Sequence, residues 1–289
     1  MVCRLAVQLS TVRPRESPLS TSATALLLAA SEAESGFHAP SIEDFFPPAF
    51  LFEGTPLEFN RIMLVRFIAA AALLLVFVLA AKRAKLVPGR FQVAVEFVLD
   101  FCRNSITYEV MGEKAGRKYV PLVTTIFCSI LFFNLTGVIP FLNISGTGVI
   151  GLPIVFAVWV YVTYLAAGVG KFGVGGFLKN SLFPPGVPKV LYVLLTPVEF
   201  LQVFVLRPAT LVIRLLANMI AGHLLLALCF AATSFFLLDA DGFMKAFSVV
   251  TFAGGFAFTL LEIFVAVLQA YVFAILAALY INMSIEAEH

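Results

Sequence analysis

Five residues of this chain combine types that seldom meet in apolar surroundings: Arg214, Asn218 and His223 inside one hydrophobic run, and Glu262 and Gln269 inside the next. An arginine at the centre of a bilayer costs from roughly 3 to more than 10 kcal/mol depending on the scale used, so Arg214 marks an ion or substrate path unless its head snorkels to an interface. His223 and Glu262 suit proton transfer, because imidazole has an unperturbed pKa of about 6.5 and a neighbouring carboxylate can stabilise either proton state. If the chain folds back at Asp239-Ala240-Asp241-Gly242, residues at equal depth on two antiparallel arms have numbers with a constant sum. Arg214 with Gln269, and His223 with Glu262, both centre on Asp241-Gly242, which turn chemistry independently selects as the tip. The alternative for each pair is interhelical hydrogen bonding worth about 1 kcal/mol per bond and no ion path at all. Nine residues at about 100° each set His223 half a turn from Arg214, so a straight helix aims them at different cavities. Arg207, two turns before Arg214 and next to Pro208, reads as a side chain snorkelling to the inner interface. Glu199 and Gln202 read either as an aqueous exit or as solvated interface groups.

The elements that hold these residues follow from composition. The 289-residue chain is 61% hydrophobic and 12% charged, with mean hydropathy +1.01, which excludes an ordinary soluble domain. The expected fold is an all-α polytopic membrane protein: about five membrane-crossing helices plus one interfacial amphipathic helix, the last two crossing helices long and steeply tilted as a hairpin. Net charge is +2, which gives no sign of a nucleic-acid partner, but the placement of charge sets the topology. Lys82, Arg83, Lys85, Arg90, Arg103, Lys114, Arg117 and Lys118 fill one polar interval, and Lys171, Lys179 and Lys189 another. The outer turn 140–148 has no Lys or Arg, and residues 31–60 carry six acids and no Lys or Arg. By the positive-inside rule the N-terminus is outside and the C-terminus cytoplasmic. The four cysteines are scattered with no CxxC pair, so they read as apolar fillers and point to no metal site or disulfide framework.

In chain order, residues 1–60 form an outer N-terminal segment with a poorly ordered start, which a cleaved signal or an over-extended start codon would explain equally. Residues 61–289 form the membrane domain. Its first span is 62–81, with Arg61 and Arg66 at the outer end and Lys82-Arg83 at the inner end. Residues 91–111 alternate Glu96, Asp100, Arg103 or Asn104, and Thr107 against Val95, Phe97, Leu99 and Phe101, the pattern of a helix lying in the interface. Residues 119–139 and 149–169 form a hairpin with a short outer turn, and a Gly- and Pro-rich loop spans 170–188. The 49 apolar residues 190–238 would be roughly 73 Å long as a helix, so they cross twice or lie steeply tilted. The last stretch, 243–283, is also too long to stand upright.

The stretch Arg214-Leu-Leu-Ala-Asn218-Met-Ile-Ala-Gly-His223, together with Leu268-Gln269-Ala270-Tyr271-Val272-Phe273, resembles subunit a of the F-type ATP synthase. Asn134-Leu135-Thr136-Gly137-Val138-Ile139-Pro140 belongs to the same likeness, and Val87-Pro88-Gly89-Arg90 with Tyr119-Val120-Pro121 resembles actinomycete members in particular. The resemblance covers the chain from about residue 60. It implies a proton-translocating stator subunit that offers two offset half-channels to a ring of c subunits and sits beside peripheral-stalk b subunits in the bacterial cell membrane. Protons are then the cargo, and no cofactor or metal is implied. Arg214 would face the ring carboxylate, Asn218 and Gln269 would orient it, and His223 and Glu262 would line the outer half-channel. Many bacterial members carry Glu at the first of those two positions and His at the second, so the pair is exchanged here. Gly137 stands where some members have Asp, and Glu199 lies one residue from where many have Glu. The chain has no GxxxxGK[ST] loop and no nucleophile-base pair, hence no catalytic site of its own. The competing readings are a proton-coupled secondary transporter, which would show inverted repeats, and a structural scaffold, which would tolerate apolar replacement of Arg214 and Glu262.

Overall fold

The computed structural model describes residues 59–139, 142, 144–182, 191–239 and 242–286. The expectations for the leader and the outer cap lie outside the described residues, as do residues 240 and 241 of the last turn. Among the described residues the secondary structure is helical, with no β-strand element. Four helical stretches are long and apolar enough to cross a membrane, and a shorter apolar helix joins them.

Helix α1 is Arg61–Lys82, close to the span read from hydropathy. The side chain of Asn60 accepts the Met63 amide at 3.0 Å and so caps the first turn. Helix α2, Arg90–Asp100, continues as a π-helical segment, Phe101–Tyr108, and then as α3, Glu109–Gly116, which Gly112 breaks with φ 70°. The π segment changes the face expected for this interfacial helix. Five-residue spacing lets the Thr107 hydroxyl donate to the Cys102 carbonyl at 2.8 Å, so Thr107 is buried instead of solvated. Phe97, on the apolar face of this helix, is 70% exposed, as a side chain that lipid covers would be.

Helix α4, Val120–Leu135, has Pro121 in its first turn, where a missing N–H leaves no bond unmade. It stops four residues short of the expected 139, because the chain turns at once. The Thr136 hydroxyl bonds the Phe133 carbonyl at 2.7 Å and the Ile144 carbonyl at 3.1 Å. Helix α5, Gly151–Leu182, corrects the expected loop 170–188: the chain is helical to Leu182, broken only at Gly173, where φ is 72°. The glycines there had read as a loop, but only Gly173 uses the left-handed region that favours glycine.

The long apolar run resolves as one helical path with no turn. Helix α6, Tyr192–Leu201, passes through a π segment, Gln202–Leu206, into α7, Arg207–Leu238. Pro208 explains the widened turn, since it cannot donate to the carbonyl four residues back and its ring would collide with it. The 45 residues Leu194–Leu238 extend about 68 Å, more than twice the ~30 Å hydrocarbon thickness, which leaves a tilted path as the alternative that fits. A 3-10 turn, Gly242–Ala246, begins with Gly242 at φ 62° and leads into α8, Phe247–Ile285.

The described residues fall into two compact units. The smaller is Leu228–Phe252, where the Thr233 hydroxyl donates to that of Thr251 at 3.0 Å and Phe236 stacks near Phe247. The larger holds everything else. Its core joins Val123, Ile126 and Ile130 of α4, Val160 of α5, and Leu211 and Leu215 of α7. Facing them on α8 is a stripe of fully buried Ala266, Ala270, Ala274, Ala277 and Ala278, side chains small enough to bring helix backbones close in a lipid setting. Outward, Phe67, Leu74 and Leu194 are exposed by 64%, 65% and 75%, surface that lipid covers and water would not.

The outer turn is held from α1. Arg66, half-buried, donates from Nε to the Gly146 carbonyl at 2.9 Å and from Nη2 to the Val149 carbonyl at 3.2 Å, and Arg61 reaches the Leu142 carbonyl at 3.2 Å. Hydrogen bonds from a charged donor contribute roughly 1.5–3 kcal/mol each. Arg66→Met is therefore expected to loosen residues 145–149: hydrogen exchange of their amides should accelerate roughly tenfold or more, with Arg66→Lys intermediate. Unchanged exchange would show that the turn holds itself.

Candidate functional site

Helix α7 carries two faces, and the larger unit separates them. Leu211, Leu215, Met219, His223 and Leu226 are buried, in a row set by the helical repeat. On the other side Ala217, Asn218 and Ala221 are exposed and Arg214 is half-buried. The half-turn between Arg214 and His223 thus sends one residue toward the surface and the other into the protein, as the 100° repeat requires.

The antiparallel register between α7 and α8 within this unit is fixed by two side-chain pairs. His223 Nδ1 lies 3.2 Å from Glu262 Oε1, which brings together two residues that the constant-sum argument had matched. Both are buried, with 8% and 4% exposure, so neither is neutralised by lipid headgroups or bulk water. At this separation the two groups form an ion pair when the imidazole carries a proton. Gly222 leaves room beside the carboxylate, for a methyl group built there would meet Glu262 Oε1 at an ordinary 3.4 Å.

The second pair differs from the expectation. Asn218 donates its side-chain amide to Gln269 Oε1 at 2.9 Å, and no hydrogen bond or ion pair to Arg214 is made among the described residues. The partner of Gln269 is therefore Asn218, one turn nearer the hairpin tip than Arg214 and on the same face. Gln269 Nε2 is buried and has no acceptor among the described residues. Glu199 is half-buried and Gln202 exposed at the junction of α6 with its π segment, and neither touches Arg214, Asn218, His223 or Glu262 through any bond among the described residues.

Arg207, read from its position as snorkelling to the inner interface, packs its head against two aromatic rings. Its guanidinium lies over the Tyr164 and Tyr280 rings, at 5.6 and 5.5 Å from their centroids, and donates to the Tyr164 hydroxyl at 3.3 Å. Two cation–π contacts and a hydrogen bond tie the start of α7 to α5 and α8.

Sequence reasoning gave the outer turn no chemistry, yet the turn carries a buried polar network. The Thr147 hydroxyl donates to Asn134 Oδ1 at 2.5 Å and lies 2.9 Å from the Ser145 hydroxyl, and all three residues are buried. Ser145 also borders a small cleft that His223 lines together with Ile62, Gly148 and Met219. The signal was present in the small polar residues Asn134, Thr136, Ser145 and Thr147 on both sides of one turn, but their separation in sequence hid their convergence. Among the described residues no group of three or more His, Cys, Asp or Glu has the geometry of a metal site.

A polytopic helical protein with an arginine-bearing exposed face and a buried acid-base pair behind it defines a class: a membrane subunit that moves ions. Comparison with known sequences gives the family. The ATP synthase A chain profile matches residues 63–282. The chain is 44% identical over 276 residues to ATP synthase subunit a of Rhodococcus erythropolis, covering 96% of this chain and 98% of that one. It is 36% identical to the subunit a of Pseudarthrobacter chlorophenolicus over 264 residues, 91% of this chain and 99% of the relative. With that of Streptomyces lividans it shares 36% identity over 260 residues, 88% of this chain and 90% of the relative. The chain belongs to the ATP synthase A chain family, the proton-translocating membrane subunit of the F0 sector. It is accordingly a multi-pass protein of the bacterial membrane and a member of an F1F0 complex.

The Asn218–Gln269 bond yields a direct test. A double-mutant cycle on Asn218→Ala and Gln269→Ala, read by unfolding in detergent, is expected to return a coupling of about 1 kcal/mol. Additive losses would show that the two amides are not bonded in the assembled protein.

Proposed function

We propose that this subunit supplies two offset half-channels to a c-ring, and that His223 and Glu262 form the proton relay of the half-channel open to the outside. The observation that supports this reading best is the contact of His223 Nδ1 with Glu262 Oε1 at 3.2 Å inside an apolar helix pair, with His223 bordering a cleft. A proton arriving through the cleft meets the imidazole first, passes to the carboxylate 3.2 Å away, and goes on to a ring carboxylate. Arg214, on the opposite face of α7 beside the exposed Ala217 and Ala221, faces the ring. There its fixed charge favours the ionised ring carboxylate and keeps protons from leaking between the half-channels. Ala217 and Ala221 are small, which lets a ring helix approach Arg214 closely.

Asn218 and Gln269, bonded to each other one turn from the arginine, orient the face of α7 that presents it. Release to the cytoplasm runs near Glu199 and Gln202. In this reading the transported ion is the proton, the partners are the c-ring, the peripheral-stalk b subunits and membrane lipid, and the chain lies with its N-terminus outside and its C-terminus in the cytoplasm. No cofactor takes part.

The reading is tested by ATP-driven proton pumping in inverted vesicles, normalised to assembled complex. Arg214→Ala is expected to abolish pumping with assembly largely intact. Arg207→Ala, which removes the contacts with Tyr164 and Tyr280, is expected to lower the amount of assembled complex while leaving pumping per complex near the native level. Normal pumping in Arg214→Ala would remove the central claim. The exchange variant His223→Glu with Glu262→His is expected to retain more pumping than either single substitution. Equal loss in all three would count against a relay.

A further inference from the structure

The described glycines differ in what an added side chain would meet, and Gly137 is among the most constrained. A methyl group built on Gly137 would overlap the His223 imidazole at Cε1 and Nε2, and it would also press on the Asn134 carbonyl oxygen at 3.3 Å. The backbone at this point has little freedom to retreat. Gly137 N–H donates to the Asn134 carbonyl at 3.1 Å and the Val138 N–H to the Leu135 carbonyl at 3.1 Å, while Thr136 is bonded through its hydroxyl to Phe133 and Ile144. The imidazole is therefore bracketed. Its Cε1–Nε2 edge lies on the bare backbone of Gly137, and Nδ1 faces Glu262 Oε1.

We propose that Gly137 is the positioning residue of the His223–Glu262 pair: the missing side chain at 137 forms the seat that holds the imidazole edge and keeps Nδ1 on the carboxylate. A ring at 223 and a side chain at 137 exclude each other. With Ala at 137 the ring has one open direction, the cleft bordered by Ser145, Gly148 and Met219, and turning into it carries Nδ1 away from Glu262. The seat is made by the turn that follows α4 and the pair by α7 and α8, so the end of the first hairpin sets the proton geometry of the second. This inference rests on the relay reading for its effect on pumping, but the steric claim stands apart from it.

The experiment uses whole F1F0 complexes in inverted vesicles and compares the native chain with Gly137→Ala, His223→Ala, both together, and Gly151→Ala. Gly151 has nothing within 4 Å of an added methyl group and serves as the control. In Gly137→Ala, pumping per assembled complex is expected to fall roughly tenfold to a hundredfold, the cost of misplacing a reacting group by about 1 Å, with a displaced pH profile. Gly151→Ala should match the native chain. Pumping within about twofold of native and an unmoved pH profile in Gly137→Ala would overturn the proposal. If Gly137→Ala fails to assemble, His223→Ala in the same chain should restore assembly by removing the ring. Failure to restore it would overturn the seat equally. Normal pumping in His223→Ala alone would refute the relay instead, and the assembly comparison would then decide the steric claim by itself.

Discussion

The burial of one histidine and one glutamate against each other, 3.2 Å apart between two apolar helices, is the contact on which the rest of the site depends. Inside a membrane protein neither group can be left alone, because an ionisable side chain without water must be neutral or paired. Pairing demands a fixed register between α7 and α8, and the Asn218–Gln269 bond two turns away repeats the same antiparallel register. Close approach of the helices demands small residues, which the buried alanines of α8 provide. A bulkier stripe would hold the helix away from its neighbours, and the polar side chains would no longer span the gap.

The same constraint divides the labour between faces. A helix that buries Leu215, Met219 and His223 on one side turns Ala217, Asn218 and Ala221 outward on the other, with Arg214 at its margin. The acid-base pair is enclosed by this chain, whereas the arginine is left beside the small exposed side chains of Ala217 and Ala221. The turn after α4 borders the same site. Arg66 anchors its carbonyls, and its Ser145 borders the cleft at His223. An arginine placed by topology at the end of the first span thereby becomes part of the wall around a site built mainly from the last two helices.

Much of this was legible before any coordinates. Hydropathy located the helices, and the constant-sum relation matched His223 to Glu262 because a long antiparallel hairpin conserves depth whatever its tilt. The same relation places Arg214 and Gln269 at equal depth but does not fix rotation, and Asn218, one turn from Arg214, is the residue that bonds Gln269. The π segments at Phe101–Tyr108 and Gln202–Leu206 were not legible, because they shift the helical face without changing composition. That is why Thr107 is buried. The glycine-rich tail of α5 was misread for a related reason: a single positive φ at Gly173 interrupts a helix that composition alone marks as a loop. Arg207 misled in the other direction, since its two tyrosine partners come from positions 164 and 280 and no local pattern announces them. The steric fit of Gly137 against His223 belongs to the same class, a contact between a turn and a helix distant in sequence.

The account stands most directly on passive proton conduction through the membrane sector after F1 is stripped from inverted vesicles, with a potassium diffusion potential as the driving force. Glu262→Gln keeps the size and hydrogen-bonding reach of the side chain and removes only its ability to exchange a proton with His223. The account predicts that conduction collapses toward the leak of vesicles lacking the complex, with the amount of subunit in the membrane unchanged. Conduction at the native rate in Glu262→Gln would contradict it, and would reduce the buried pair to a structural contact between helices.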